Sequence, residues 1–110
     1  MIGWCKWKSM PSPDECRKIE GPVGPGVYQI KNIKTNELIQ FGIGVECRKR
    51  MKSFFPAPHG SGKRNNSYKR EYILKHWQHQ QYRTLATETR AQAKLAKDKI
   101  KAKNNHLFNT

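Results

Sequence analysis

Residues 26–44 read GVYQIKNIKTNELIQFGIG, with an alternating run at each end and a polar segment between them. Residues 26–30 and 38–41 alternate apolar with polar side chains, which is typical of strands that bury one face. Lys34-Thr35-Asn36 has the composition of a turn. This pattern predicts a β-hairpin.

After Gly44 the spacing of the apolar residues changes, and the rest of the chain divides into four elements. Helical periodicity predicts two helices, over residues 45–55 and 67–77. Residues 82–87 alternate again as a third strand, and residues 88–101 predict a last helix. The order β-β-α-α-β-α predicts an α+β fold.

An arm precedes the hairpin. Ser12-Pro13-Asp14-Glu15 predicts the start of a short helix, because proline is favoured at the first helical position and acids in the first turn. Gly21-Pro22 and Gly24-Pro25 then break the chain twice. We therefore expect an N-terminal arm or linker over residues 1–25 and a single domain over residues 26–110.

The charge balance indicates the class of partner. The chain has 110 residues with 22 Lys+Arg against 8 Asp+Glu, a net charge of +14 at pH 7. A domain with this excess attracts polyanions such as nucleic acid. Basic composition indicates affinity for polyanions but does not indicate a reaction. A soluble basic protein with solvated lysines on its helices would have the same composition. No apolar run approaches the ~18 residues of a membrane helix, so no membrane partner is expected.

The three cysteines point to a reducing compartment. Cys5, Cys16 and Cys47 lack the spacing of metal ligands, and their odd number disfavours a complete disulfide framework. We expect reduced thiols and a cytoplasmic location, with a Cys5–Cys16 bridge as the alternative.

A tyrosine and several glycines in the hairpin suggest chemistry on a phosphate. Glycine lets the backbone turn sharply and approach a phosphate closely, and Tyr28 projects a hydroxyl from a rigid strand. The basic helix that begins just past Gly42 offers its N-terminus and its arginines to the same anion.

These motifs resemble the GIY-YIG nucleases. Residues 26–32 are similar to the first motif of that family, residues 40–44 to the second, and residues 47–55 to its basic helix. The spacing from Gly42 to Arg50 matches that between the second-motif glycine and the family's arginine. The resemblance implies a three-stranded antiparallel sheet flanked by helices, and hydrolysis of phosphodiesters with one Mg²⁺ or Mn²⁺ ion.

The resemblance also implies roles for individual residues. Tyr28 would be the general base or would relay a proton from the attacking water, and Arg50 would stabilise charge on the scissile phosphate. Asn109 would hold the last turn of the site. The supporting positions are Gly26, Gln40, Phe41, Gly42, His59, Lys69 and Tyr72. The residues expected to contact nucleic acid are Lys31, Arg48, Lys49, Lys52, Lys63, Arg64 and Arg70.

The second motif and the basic helix depart from the family pattern. The second-motif tyrosine corresponds to Gln40, or to Phe41 in a shifted alignment, and neither side chain has a phenolic proton. Phe54 stands where a His or Tyr often follows the arginine by one helical turn. That role passes to His59, Lys69 or Tyr72.

The larger departure is in the last helix. The family places its metal-binding glutamate four residues before an apolar residue that corresponds to Ile100, which puts the position at Ala96. Alanine offers no oxygen to a hard cation. A metal ion is therefore expected only with glutamate at 96, and the chain is expected to bind its substrate without cutting it. The loss is either an introduced inactivation or a natural binding-only state.

The combined features suit the C-terminal toxin domain of a bacterial antagonism effector. The expected substrate is DNA, with RNA possible, and an acidic immunity protein would match the charge of +14. Such a domain would act in the cytoplasm of a target bacterium. The rival is a non-catalytic module that binds nucleic acid.

Overall fold

A computed structural model describes residues 3–51 and 67–108, with only the backbone described for Pro13, Cys16, Arg17 and residues 67–70. Four strands and three α-helices are described, together with two short 3₁₀ helices, Pro13–Lys18 and Trp77–His79. The strands are β1 (Lys8–Ser9), β2 (Gly26–Asn32), β3 (Glu37–Gly44) and β4 (Gln80–Ala86), and the helices are α1 (Cys47–Met51), α2 (Ser67–His76) and α3 (Arg90–Lys103).

The α+β class is confirmed, but the expectation of a three-stranded sheet is wrong. The described residues form a four-stranded antiparallel sheet in the order β1-β4-β2-β3. The extra strand comes from the arm, where Lys8 pairs with Tyr82. The backbone N–H groups of Cys5 and Met10 also donate to carbonyls of β4, at 2.9 and 3.0 Å. The arm thus satisfies polar groups that an open sheet edge would expose.

The arm also enters the core. Met10 and Ile19 are buried in one cluster with Tyr28, so residues on both sides of position 25 share a hydrophobic core. Cys5 is a free thiol whose Sγ accepts from the Thr84 N–H at 3.2 Å, so the alternative of a Cys5 disulfide is excluded.

The predicted hairpin is confirmed as β2 and β3. Asn32 ends β2, and its Oδ1 accepts from the backbone N–H of Lys34 at 2.9 Å and of Thr35 at 3.2 Å. Asn36 completes the turn at φ 60°, a left-handed conformation that asparagine tolerates. The polar residues of the turn therefore set the pairing in which Tyr28 lies opposite Gly42.

Successive side chains of the strands point to opposite faces of the sheet. The first face, here called the α1 face, carries Tyr28 and Ile30, which are buried with Cys47 and Met51 of α1 and Ile73 of α2.

The second face, here called the α3 face, carries Val27 and Phe41. Both pack against Ala93 and Ile100 of α3, and Trp4 of the arm covers the same cluster. The predicted apolar spacing of the last helix is confirmed at Ala93 and Ile100, which are buried.

The last helix begins two residues later than the sequence indicates. Thr89 is its N-cap, with Oγ1 accepting from the Gln92 N–H at 3.2 Å. Gln92 Oε1 in turn accepts from the backbone N–H of Glu88 at 2.9 Å. Glu88 therefore precedes the helix.

Candidate active site

Tyr28 and Gly42 form the centre of the α1 face. Tyr28 is buried, and its ring lies directly over Gly42 on the neighbouring strand. A Cβ atom at position 42 would lie 2.8 Å from Cε2 of the Tyr28 ring and closer still to its hydroxyl end. The glycine of the second motif is therefore required by the close approach of the tyrosine ring.

Arg50 meets Tyr28 on this face. The guanidinium donates a hydrogen bond to the Tyr28 hydroxyl. Burial raises the pKa of Tyr28, and the positive charge of Arg50 opposes that rise only in part. Tyr28 thus holds its proton at neutral pH, which favours the relay role over that of a resting general base.

Gly44 and Cys47 form the wall of the site beside Arg50. A Cβ atom at Gly44 would lie 3.0 Å from Cβ of Arg50, so a larger residue there would crowd the arginine. Burial raises the pKa of the Cys47 thiol to about 11, which keeps it neutral and unreactive. Sequence reasoning did not single out Cys47 as part of this site, because its burial depends on tertiary contacts.

The N-terminus of α1 does not offer its first N–H groups to a phosphate, contrary to expectation. The N–H of Cys47 donates to the Gly24 carbonyl at 2.9 Å, and the N–H of Arg48 donates to the Pro22 carbonyl at 2.8 Å. The glycine-proline segment of the arm therefore caps α1.

Gln40 and Phe41, the two residues that could correspond to the second-motif tyrosine, lie on opposite faces of the sheet. Gln40 lies opposite Ile30, on the α1 face that Tyr28 shares, and is buried. Phe41 lies on the α3 face. Of the two, Gln40 shares a face with Tyr28. Gly26 lies opposite Gly44 and is also buried.

Tyr72 is not brought to Tyr28. Its hydroxyl accepts from Asn32 Nδ2 at 3.1 Å, and its ring contacts His76 and Phe108 with centroids 4.5 and 5.9 Å apart. Asn32 lies four residues along β2 from Tyr28, roughly 13 Å at the rise of a strand. Tyr72 therefore supports the far end of the α1 face.

Ala96 is not brought to Tyr28 either. Its side chain is partly buried against the cluster of the α3 face. It lines a groove of about 460 Å³ together with Trp4 and Leu85. The sheet therefore separates position 96 from the pair of Tyr28 and Arg50.

The other residues that were expected to contact nucleic acid or to support the site lie in several places. Arg48 and Lys49 are exposed on α1, with Lys49 Nζ 3.8 Å from a carboxylate oxygen of Glu46. Lys31 lies over the ring of Trp7, with 4.4 Å from Nζ to the ring centroid. His59, Lys52, Lys63, Arg64 and Asn109, and the side chains of Lys69 and Arg70, lie outside the described residues.

A Mg²⁺ or Mn²⁺ ion is the cofactor that the resemblance implies. Such an ion needs carboxylate or carbonyl oxygens. The side chain of Ala96 has no oxygen, and the described residues contain no cluster of three or more His, Cys, Asp or Glu that could hold a metal. No helix in the described part of the chain is long and apolar enough to span a membrane.

Comparison with known proteins identifies no relative. No protein-family model, no curated protein and no solved structure matches the chain. The resemblance to GIY-YIG nucleases therefore depends on the motif residues themselves.

Proposed function

We propose that this chain is an endonuclease-type domain that binds a phosphodiester of nucleic acid, with DNA as the expected substrate, through Tyr28 and Arg50. The hydrogen bond between the Arg50 guanidinium and the Tyr28 hydroxyl, in a domain of net charge +14, is the observation that supports it. A guanidinium is planar and always charged, and it matches the oxygens of a phosphate.

Arg50 donates to a non-bridging oxygen of the phosphate, where negative charge would build during cleavage. Tyr28 holds the guanidinium in place, so that less side-chain entropy is lost on binding. Its protonated hydroxyl orients a water molecule or passes on its proton. In the nucleases that the motifs resemble, a metal ion supplies Lewis-acid chemistry. The described residues contain no cluster of metal ligands, and we propose that this chain binds the strand without hydrolysing it.

Binding of DNA by variants of two neighbouring arginines tests the site. Arg50 and Arg48 lie on the same helix, but Arg48 is exposed and does not reach Tyr28. Fluorescence anisotropy with a labelled 20-base-pair duplex should show at least a tenfold loss of affinity for Arg50→Gln and at most a threefold loss for Arg48→Gln. Equal losses would mean that the chain binds DNA through diffuse charge alone.

A non-catalytic module that binds nucleic acid is the second candidate, and the lack of a metal-ligand cluster among the described residues favours it. A plasmid-nicking assay of the unchanged chain and of Ala96→Glu, with Mg²⁺ or Mn²⁺, distinguishes the two candidates. Nicking by either protein that disappears when Tyr28→Phe is added supports an endonuclease. Intact plasmid with both proteins supports binding only. A parallel assay on total tRNA tests RNA as the substrate.

The net charge of +14 also supports the context expected from the sequence, which is the toxin domain of a bacterial antagonism effector. In that context the domain acts on nucleic acid in the cytoplasm of a target bacterium. An acidic immunity protein neutralises it by covering the basic surface.

A further inference from the structure

Gln29 joins Arg83 to His106 on the α3 face. Arg83 Nε donates to Gln29 Oε1 at 2.8 Å, and Gln29 Nε2 lies 3.0 Å from His106 Nε2. An arginine nitrogen can only donate, so Oε1 must be the acceptor and Nε2 the donor of the Gln29 amide. His106 Nε2 therefore accepts, which requires a neutral imidazole that carries its proton on Nδ1.

Burial favours the neutral form of His106, and its Nδ1 has no hydrogen-bond partner among the described residues. The residue is buried at the point where the C-terminal tail meets Leu38 of β3, and burial lowers its pKa to about 4. His106 is thus uncharged at neutral pH. Positive charge on this part of the α3 face comes from arginine and lysine.

Two tryptophans of the arm hold the Arg83 guanidinium in position. Its Cζ lies 4.4 Å from the ring centroid of Trp4 and 4.6 Å from that of Trp7. These cation–π contacts and the bond to Gln29 restrict the rotamers of Arg83. Because Nε is engaged by Gln29, the described residues leave the two Nη nitrogens of Arg83 available to an acceptor.

Arg83 lines a cavity of about 160 Å³ together with Gln29, His106 and Lys103. No acidic residue is among the described residues that line it. At ~30 Å³ for each water molecule the cavity has room for roughly five water molecules. A phosphate group, with one phosphorus and four oxygens, fits in that space. The room for a phosphate group and the positive charges of Arg83 and Lys103 suit one tetrahedral anion.

We propose that this cavity binds a phosphate group of a flexible single strand of nucleic acid, as a second contact separated by the sheet from the pair of Tyr28 and Arg50. The choice of nucleic acid as ligand rests on the proposed function. The domain measures 34 × 27 × 26 Å, and DNA duplexes stay straight over this distance. A straight duplex that touches Arg50 cannot reach the opposite face, whereas a single strand can pass round the edge of the sheet.

Arg83→Gln and Lys103→Gln test the second contact, with Lys94→Gln as the matched control. Lys94 is exposed on the same helix as Lys103, roughly 13 Å away at the rise of an α-helix, and it does not line the cavity. Anisotropy is measured with a labelled 20-nucleotide single strand and with the matching duplex, over a range of salt concentrations.

We expect each cavity variant to lower single-strand affinity at least threefold and to reduce the salt slope by about 0.7, the value for one lost contact. Duplex affinity should stay unchanged, and Lys94→Gln should match the wild type on both ligands. Single-strand losses no larger than that of Lys94→Gln would overturn the proposal, as would equal losses on the duplex.

Lys103→Gln leaves the bonds of Gln29, Arg83 and His106 in place, so it decides the result if Arg83→Gln does not fold. The proposed function is tested separately, by the effect of Arg50→Gln on duplex binding. If Arg50→Gln weakens duplex binding while both cavity variants bind single strands normally, only the second contact is wrong.

Discussion

The two faces of the sheet each hold an arginine in a fixed orientation, but they do so with residues from different parts of the chain. On the α1 face Arg50 is held by Tyr28, and both lie within one continuous stretch of the sequence. On the α3 face Arg83 is held by Gln29, Trp4 and Trp7. The first arrangement depends on local sequence, and the second requires the arm and β4 to come together.

The difference between the faces shows where a short motif determines a site and where tertiary structure does. Glycine at position 42 is enough to let the Tyr28 ring cross its neighbouring strand. The α3 face has no such local requirement, and its arginine depends on contacts between distant segments. We therefore expect the two faces to respond to different perturbations.

Acid should affect the α3 face most. His106 has a folded pKa of about 4 against an ordinary value of 6.5, so the unfolded chain takes up its proton first as pH falls. The contribution of neutral His106 to the free energy of unfolding is fully present above about pH 6.5. It is lost progressively as the pH falls from about 6.5 to about 4. Between pH 7 and 4.5 the loss from this group should be about 2 kcal/mol.

Urea denaturation of the wild type and of His106→Gln at the two pH values measures this loss. The wild type should lose about 2 kcal/mol more than the variant, which lacks the titrating group. The same pH dependence in both proteins would show that folding does not lower the pKa of His106, and would contradict a neutral His106 at pH 4.5.

On the α1 face the largest effect should come from Gly42→Ala. The added Cβ overlaps the Tyr28 ring, and such overpacking costs about 1–3 kcal/mol. Gly24→Ala is the control, because nothing lies within 4 Å of a Cβ there and its φ is not positive. That variant should change the free energy of unfolding by less than about 0.5 kcal/mol. Similar values for both would mean that the ring is free to move away.

The smallest effect should come from the N-cap of α3. Thr89→Ala removes the hydroxyl that accepts from the Gln92 N–H, at a cost of about 1 kcal/mol. Thr35→Ala, in the exposed turn between β2 and β3, is the control and should be nearly neutral. Thermal unfolding compares the two variants, and equal melting temperatures would show that α3 is held by its buried face alone.

Much of the α1 face could be predicted from the sequence. The alternation over residues 26–44 predicts the hairpin, and the resemblance to the GIY-YIG motifs implies that Arg50 and Tyr28 share a site. The capping of α1 by the carbonyls of Pro22 and Gly24 could not be predicted. It depends on the path of an arm that contains no periodic pattern.

The α3 face could be predicted only in part. The spacing of Ala93 and Ile100 indicates a buried helix side, but it does not indicate which face of the sheet that helix covers. The direction of Ala96 away from Tyr28 was therefore not predictable. The amide of Gln29 is the one sequence feature that could have indicated this network, because a polar residue buried in a central strand needs polar partners.

The separation of two anion sites by the sheet is tested most directly by a double variant, Arg50→Gln with Arg83→Gln, binding a single strand. Independent sites predict that the two single losses add in free energy within about 0.5 kcal/mol, and that only Arg50→Gln weakens duplex binding. If the double variant binds the single strand as tightly as the more weakly binding single variant does, the two losses do not add. That result would contradict two separate sites.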